Sequence, residues 1–196
     1  MASTKHSAAG FSLVEVLVSI VVLSVGLLGT LGMLLASVRT GNETATFTAA
    51  LNLARELSEK ARINKGLAAK NNAANAYLVE DWRAGSASGA SAAVKACVAT
   101  VARCTPEDLA AWDMREWTHR VAKALPDARL SVCFDDAPWN ATAGEYAWAC
   151  SHTGNTVVVK LGWTPRTGGE EGRSSMPPRL VMQLVAGQVH DGQAGS

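Results

Sequence analysis

Gly10 to Ala36 reads GFSLVEVLVSIVVLSVGLLGTLGMLLA, almost wholly apolar or small, with Glu15 as its only charge. A run of about 26 residues (11–36), rising ~1.5 Å per residue, reaches ~39 Å and exceeds the ~30 Å hydrocarbon core of a bilayer. It therefore predicts a spanning helix with some tilt. A secretory signal peptide has a shorter apolar region of roughly 7 to 15 residues, with a small-residue cleavage site after it. Here the small residue, Gly10, comes before the apolar run and follows the short polar segment Met1 to Ala9. That order predicts loss of residues 1–10 as a leader and retention of the apolar segment on the mature chain.

Glu15 makes the segment specific. A carboxylate within a span costs roughly 2.5 to 3.5 kcal/mol on insertion scales, so it calls for a partner. After a cut following Gly10, the new amino terminus on Phe11 lies at the i, i+4 spacing from Glu15, one helical turn away. That terminus, or the one on a neighbouring subunit, answers the charge. A plain signal anchor carrying an acidic residue near the interface is the simpler alternative from these residues alone.

Gly10, Phe11, Ser12, Leu13, Val14 and Glu15, followed by an apolar helix, resemble the type IV prepilin motif. The resemblance implies that a prepilin peptidase at the cytoplasmic face cuts after Gly10 and methylates Phe11, and that Glu15 docks the subunit into a helical filament. Leu23 to Gly32, LSVGLLGTLG, is similar to the glycine-punctuated span of the type IV pilus modification protein PilV family, a group of minor pilins. Gly26, Gly29 and Gly32 each weaken a helix by about 1 kcal/mol relative to Ala. They also permit close helix approach, at a spacing of three rather than the four of GxxxG. Major pilins commonly have a kinking proline where this chain has Gly32, so the resemblance points away from the filament body.

The remainder reads as one modest domain: 196 residues, 48% hydrophobic, net charge +1. No basic tract argues for nucleic-acid binding. Lys5 and His6 precede the span and Arg39 follows it, so charge leaves the orientation open; the leader puts the first residues in the cytoplasm and the globular part in the periplasm. Residues 37–64 predict an amphipathic continuation of the helix, with Phe47, Leu51, Ala54, Leu57 and Ala61 forming its stripe, Glu56 and Lys60 pairing, and Gly41 a possible kink. Residues 65–104 read as a variable connector anchored by Tyr77 and Trp82, with Gly85 to Gly89 its flexible part.

Residues 105–188 form the globular part. Thr105 caps a helix running to Leu125, Pro106 suits its first turn, and Glu107 and Asp108 suit its positive end. Ala110, Met114, Trp117, Val121 and Leu125 make one face, widened by Leu109 and Trp112, and Pro126 stops the helix. The stretch CTPEDLAAWDMREW is also similar to PilV proteins. Three alternating strands follow: Leu130, Val132, Phe134; Val157, Val159, Leu161, Trp163; and Leu180, Met182, Leu184. Tyr146 to Cys150 is expected as a fourth. Connections without helices predict an antiparallel sheet, and residues 189–196 read as a disordered tail. The fold class is α+β, type IV pilin-like: a long N-terminal helix, half spanning and half amphipathic, on a small antiparallel sheet with an extra helix.

Cys97, Cys104, Cys133 and Cys150 lie beyond the membrane anchor, where an even number reads as disulfides with three possible connectivities. Local pairing favours Cys97–Cys104 and Cys133–Cys150, each flanking one structural unit. A zinc site is the weaker alternative: there is no CxxC pair, and His119 and His152 are poorly spaced for one. No GxSxG, HExxH or phosphate loop is present. Asp135–Asp136 reads as an acidic turn and His119 as solvated, so no catalytic, cofactor or metal residues are expected. Two functions remain. The first is a minor pilin supporting pilus assembly, adhesion and twitching motility. It would move from the inner membrane to the surface pilus, and its partners would be prepilin peptidase, other minor pilins, the major pilin and the assembly platform. The second is a pseudopilin of a type II secretion system. A pilin with a DNA-uptake role would need a surface basic patch.

Overall fold

The computed structural model describes residues 12–86, 94–98, 103–165 and 176–184. Helix α1 runs Leu13–Ile63. Compact units divide it: residues 1–42 form one and residues 43–196 the other. In the first unit the apolar side chains from Leu13 to Val38 are all exposed. By length and composition this helix can cross a membrane. Only a helix or a closed barrel satisfies every backbone group in lipid, so a run rich in Val is helical there despite that residue's modest propensity.

The second unit begins with the end of α1. Ala50, Leu53, Ala54, Leu57, Ser58 and Ala61 turn inward, an i, i+3, i+4 stripe. The expected stripe shares Ala54, Leu57 and Ala61 with it. Phe47, however, stays exposed and rests against Trp163, ring centroids 6.1 Å apart. A short turn of helix, α2, covers Lys65–Ala68. Strand β1 is Val79–Arg83, inside the stretch read as connector.

Helix α3, Pro106–Ala124, starts with a capping box. Asp108 N–H donates to the Thr105 hydroxyl (3.1 Å), and Thr105 N–H donates back to the Asp108 carboxylate (3.1 Å). That bond to the backbone of Thr105 holds the Asp108 carboxyl below its usual range. Its apolar face is the one its periodicity predicts: Ala110, Met114, Trp117 and Val121, with Leu125 after it, are buried.

Strands β2 (Arg129–Phe134), β5 (Val157–Gly162) and β6 (Leu180–Leu184) complete a four-stranded antiparallel sheet in the order β1-β2-β5-β6. Strands β3 (Trp139–Asn140) and β4 (Glu145–Tyr146) form a separate hairpin. The fourth strand is thus β1, and not the expected Tyr146 to Cys150. Leu130, Val132, Phe134, Val157, Val159, Leu161 and Leu184 share one core with the inward residues of α1 and α3. The result is the α+β, type IV pilin-like layout: a long apolar N-terminal helix, a small antiparallel sheet and an extra helix.

Candidate functional site

The chemistry at the N terminus centres on Glu15, in the first turn of α1. Ser12 O opens the helix by accepting from the N–H groups of Glu15 (3.0 Å) and Val16 (3.3 Å). The hydroxyls of the helix turn back on it. Ser19 donates to Glu15 O (2.7 Å), Ser24 to Ile20 O (2.7 Å), Thr30 to Leu27 O (2.9 Å) and Thr40 to Ala36 O (3.2 Å). Such back-bonding hides a hydroxyl from an apolar medium. A carboxylate only accepts hydrogen bonds when ionised, and helix backbone N–H groups beyond the first turn are already used. Glu15 stands in that first turn, so the donors open to it are the helix's N-terminal N–H groups and any cation brought beside it. Gly10 and Phe11, the expected cleavage and methylation positions, lie outside the described residues.

A second constellation lies on the sheet face away from the helices. The register places Ser131 opposite Lys160 and Cys133 opposite Val158. Cys133 is bonded to Cys150, with Cα atoms 6.3 Å apart, and Cys97 to Cys104, at 6.1 Å. The Cys133–Cys150 bond holds the intervening segment across β5. Beneath that segment, Lys160 has 0% side-chain exposure and Asp135 has 1%. The Lys160 ammonium lies 2.6 Å from Asp135 Oδ2 and donates to the carbonyls of Ala147 (2.8 Å) and Ala149 (2.7 Å). Asp135 Oδ1 accepts from Ala137 N–H (3.1 Å) and Ser151 N–H (3.4 Å). Burial pushes the Asp135 carboxyl up, but the hydrogen bond and charge of Lys160, with the Ala137 amide, outweigh it and leave it below its usual range.

Trp148 closes the same face. Its indole N–H donates to Met176 O (2.7 Å), and the Arg129 guanidinium stacks 4.2 Å from its ring centroid. Gly162 makes room for it, since a Cβ there would stand 2.7 Å from Trp148 Cζ2. At the rim, Asp136 Oδ1 accepts from the hydroxyls of Ser151 (2.8 Å) and Thr153 (3.0 Å), which hold its carboxyl low. The acidic turn thus divides: Asp136 is exposed and Asp135 is an ion-pair partner in the interior.

On the helix side, α1 and α3 are joined by polar contacts that spacing along one helix did not foretell. Lys60 Nζ is 2.5 Å from Asp113 Oδ1, and Glu56 pairs with Arg120. Glu56 and Lys60 thus reach across to α3, where a pair with each other was expected. Trp117 Nε1 donates to Leu53 O (2.8 Å) and Tyr77 donates to Asp113 Oδ2 (3.2 Å). Burial first, and the Asp113 charge second, push the Tyr77 hydroxyl well above the usual phenol range. His119 is exposed, and His152 Nδ1 lies 3.5 Å from Glu80 Oε1. Among the described residues, no three His, Cys, Asp or Glu side chains gather as metal ligands.

Residues 5–31 match the prokaryotic N-terminal methylation motif. No curated protein and no solved structure matches the chain. The matched segment holds Gly10, Phe11 and Glu15 and most of the apolar run, residues 11–31. It supports a type IV pilin-like or pseudopilin-like protein, a structural class processed by prepilin peptidase and assembled with other pilins from the membrane.

Proposed function

We propose that this chain is a minor pilin of the type IV pilus, most similar to the PilV family, whose work is assembly and not catalysis. The observation that carries the reading is the conjunction at the N terminus: Gly10, Phe11 and Glu15 at prepilin spacing, inside the matched methylation motif and ahead of one unbroken apolar helix. Prepilin peptidase removes residues 1–10 and methylates Phe11. The apolar half of α1 is held in the inner membrane, with the disulfide-bonded domain in the periplasm, and is then buried among similar helices. Burial in lipid and burial in a helical bundle satisfy the same side chains, so the transfer between them is driven by packing and by Glu15 meeting a neighbour's amino terminus. The subunit joins other minor pilins and the major pilin at the assembly platform, and it supports adhesion and twitching motility.

The test is a pair of substitutions in the native host. Gly10→Glu should leave the precursor intact by mass spectrometry, whereas Glu15→Ala should be cleaved normally yet be missing from sheared pili. Normal entry of Glu15→Ala into pili would refute the docking role. Deleting the gene should abolish or reduce surface pili and twitching. Loss of protein export with pili unchanged would instead identify a type II secretion pseudopilin.

A further inference from the structure

The segment between Cys133 and Cys150 is fastened from below and presents an aromatic pair from above. Its underside is held by the disulfide, by Lys160 reaching two carbonyls, and by the Trp148 indole. Its upper part is the β3–β4 hairpin, in which Trp139 pairs with Tyr146 across the strands. The rings meet edge to face, centroids 5.1 Å apart and planes at 82°. Trp139 is nonetheless 51% exposed and Tyr146 37%. The tip is rigid as well, because Asn140 Oδ1 accepts from the N–H groups of Thr142 (3.0 Å) and Ala143 (3.1 Å).

We infer that this hairpin is a docking platform for a neutral glycan chain. Two features select that occupant. The first is area: the open aromatic surface is on the order of 200 Å², taking 150–250 Å² per aromatic side chain. A stable protein interface needs about 800 Å² from each partner, whereas one or two pyranose rings are matched by such a patch. The edge-to-face arrangement keeps a ring face available, and the C–H groups of a pyranose stack on an aromatic face. The second is charge. Residues 134–151 contain no Lys or Arg, and Glu145, next to Tyr146 on β4, is exposed. Carboxylates accept hydrogen bonds from sugar hydroxyls and repel sulfated or uronic sugars. A preformed platform also binds without paying to order its side chains. The inference goes beyond the pilin reading and does not depend on whether the anchor serves a pilus or a pseudopilus.

The experiment uses the full chain in a detergent without a sugar headgroup, titrated with cellohexaose and read by tryptophan fluorescence and calorimetry. Saturable binding is expected, weakened about tenfold or more by Trp139→Ala. Tyr146→Phe removes only a hydroxyl and should keep most of the affinity. Peptide mapping of Cys133–Cys150 and an unchanged unfolding midpoint would show that Trp139→Ala still folds. The inference is overturned by an absence of saturable binding, by equal affinity in a folded Trp139→Ala protein, or by a heparin hexasaccharide binding as well as cellohexaose. Self-association abolished by Trp139→Ala, without sugar binding, would overturn it too by making the patch a contact between copies.

Discussion

Replacing Lys160 with Met should cost the second unit about 3–5 kcal/mol, the range for removing one member of a buried ion pair. The substitution keeps the length and apolar stem of the side chain, so packing changes little. What it removes is an ammonium at 0% exposure that serves the Asp135 carboxylate and the carbonyls of Ala147 and Ala149. Asp135 is left buried, with only the amides of Ala137 and Ser151 directed at it. Each orphaned buried group costs about 1–3 kcal/mol. Release of the 135–149 segment limits the total, because a loosened segment rehydrates those groups. At roughly 2–4 °C per kcal/mol for a domain of this size, the unfolding midpoint should fall on the order of 10 °C. The assay is thermal unfolding by circular dichroism, run on a cycle of Lys160→Met, Asp135→Asn and the double variant. The double variant should lose at least about 1.5 kcal/mol less than the sum of the singles, as contacting residues couple. Cys133–Cys150 should also become easier to reduce, with Cys97–Cys104 unchanged as the internal reference. A loss under about 1 kcal/mol for Lys160→Met, or strict additivity, would refute the ion-pair anchor.

Acidification should loosen the same segment. The Asp135 carboxyl is lowered in the folded state, so its contribution is complete above the ordinary carboxylate pKa near 4 and is lost as pH falls below it. The stability gap between the unmodified protein and Lys160→Met should therefore narrow below about pH 4, and a constant gap in urea titrations at successive pH values would contradict this. Gly154→Ala should destabilise by about 1–3 kcal/mol, because Gly154 has φ +77° and a Cβ there would stand 2.9 Å from Asp136 Cβ; an unchanged denaturation midpoint would rule that out. Trp117→Phe should cost roughly 1–3 kcal/mol, since it deletes the indole N–H held by Leu53 O within the core and leaves a gap beside α1. Chemical unfolding measures it, and a neutral result would mean that the bond adds nothing to packing.

Periodicity located the elements whose faces are strictly apolar on one side. The inward residues of β2 and β5 are of that kind. On helix α3, Ala110, Met114, Trp117 and Val121 are buried as the pattern predicts, while Leu109 and Trp112 are only half-buried and Asp113 is buried with them. Strand β1 escapes such a search because VEDWR holds three charges in five positions. Its register also shifts between Val79 and Trp82, where Asp81 has φ +48°, and a bulge breaks a period of two. Lys160 escapes for the opposite reason. In an alternating strand a lysine between valines and leucines reads as solvent-facing, and its burial depends on a segment from a different part of the chain folding over it. Val158 and Gly162 on the same face are the residual signal: one is apolar and the other has no side chain, as a covered face requires. The partners of Glu56 and Lys60 were hidden likewise, since spacing within one helix says nothing of a carboxylate or guanidinium on the next.

The two units face opposite solvation problems, and the chain solves them with different chemistry. Around the sheet, buried polar groups are tolerated because each has a partner brought by folding: Lys160 has Asp135 and two carbonyls, and Asp113 has Lys60 and Tyr77. The apolar half of α1 has no such partners to recruit, so the hydroxyls of Ser19, Ser24, Thr30 and Thr40 are satisfied by the helix itself. Glu15 differs: an ionised carboxylate only accepts, and in the first turn the helix offers it only its unpaired N-terminal N–H groups. On the proposed pilin reading, the amino terminus of a neighbouring subunit completes the one charge that the span keeps. Docking and passive anchoring differ in their prediction: if Glu15 docks the subunit, substituting it should impair assembly while leaving membrane retention intact, and normal assembly would leave only the anchor.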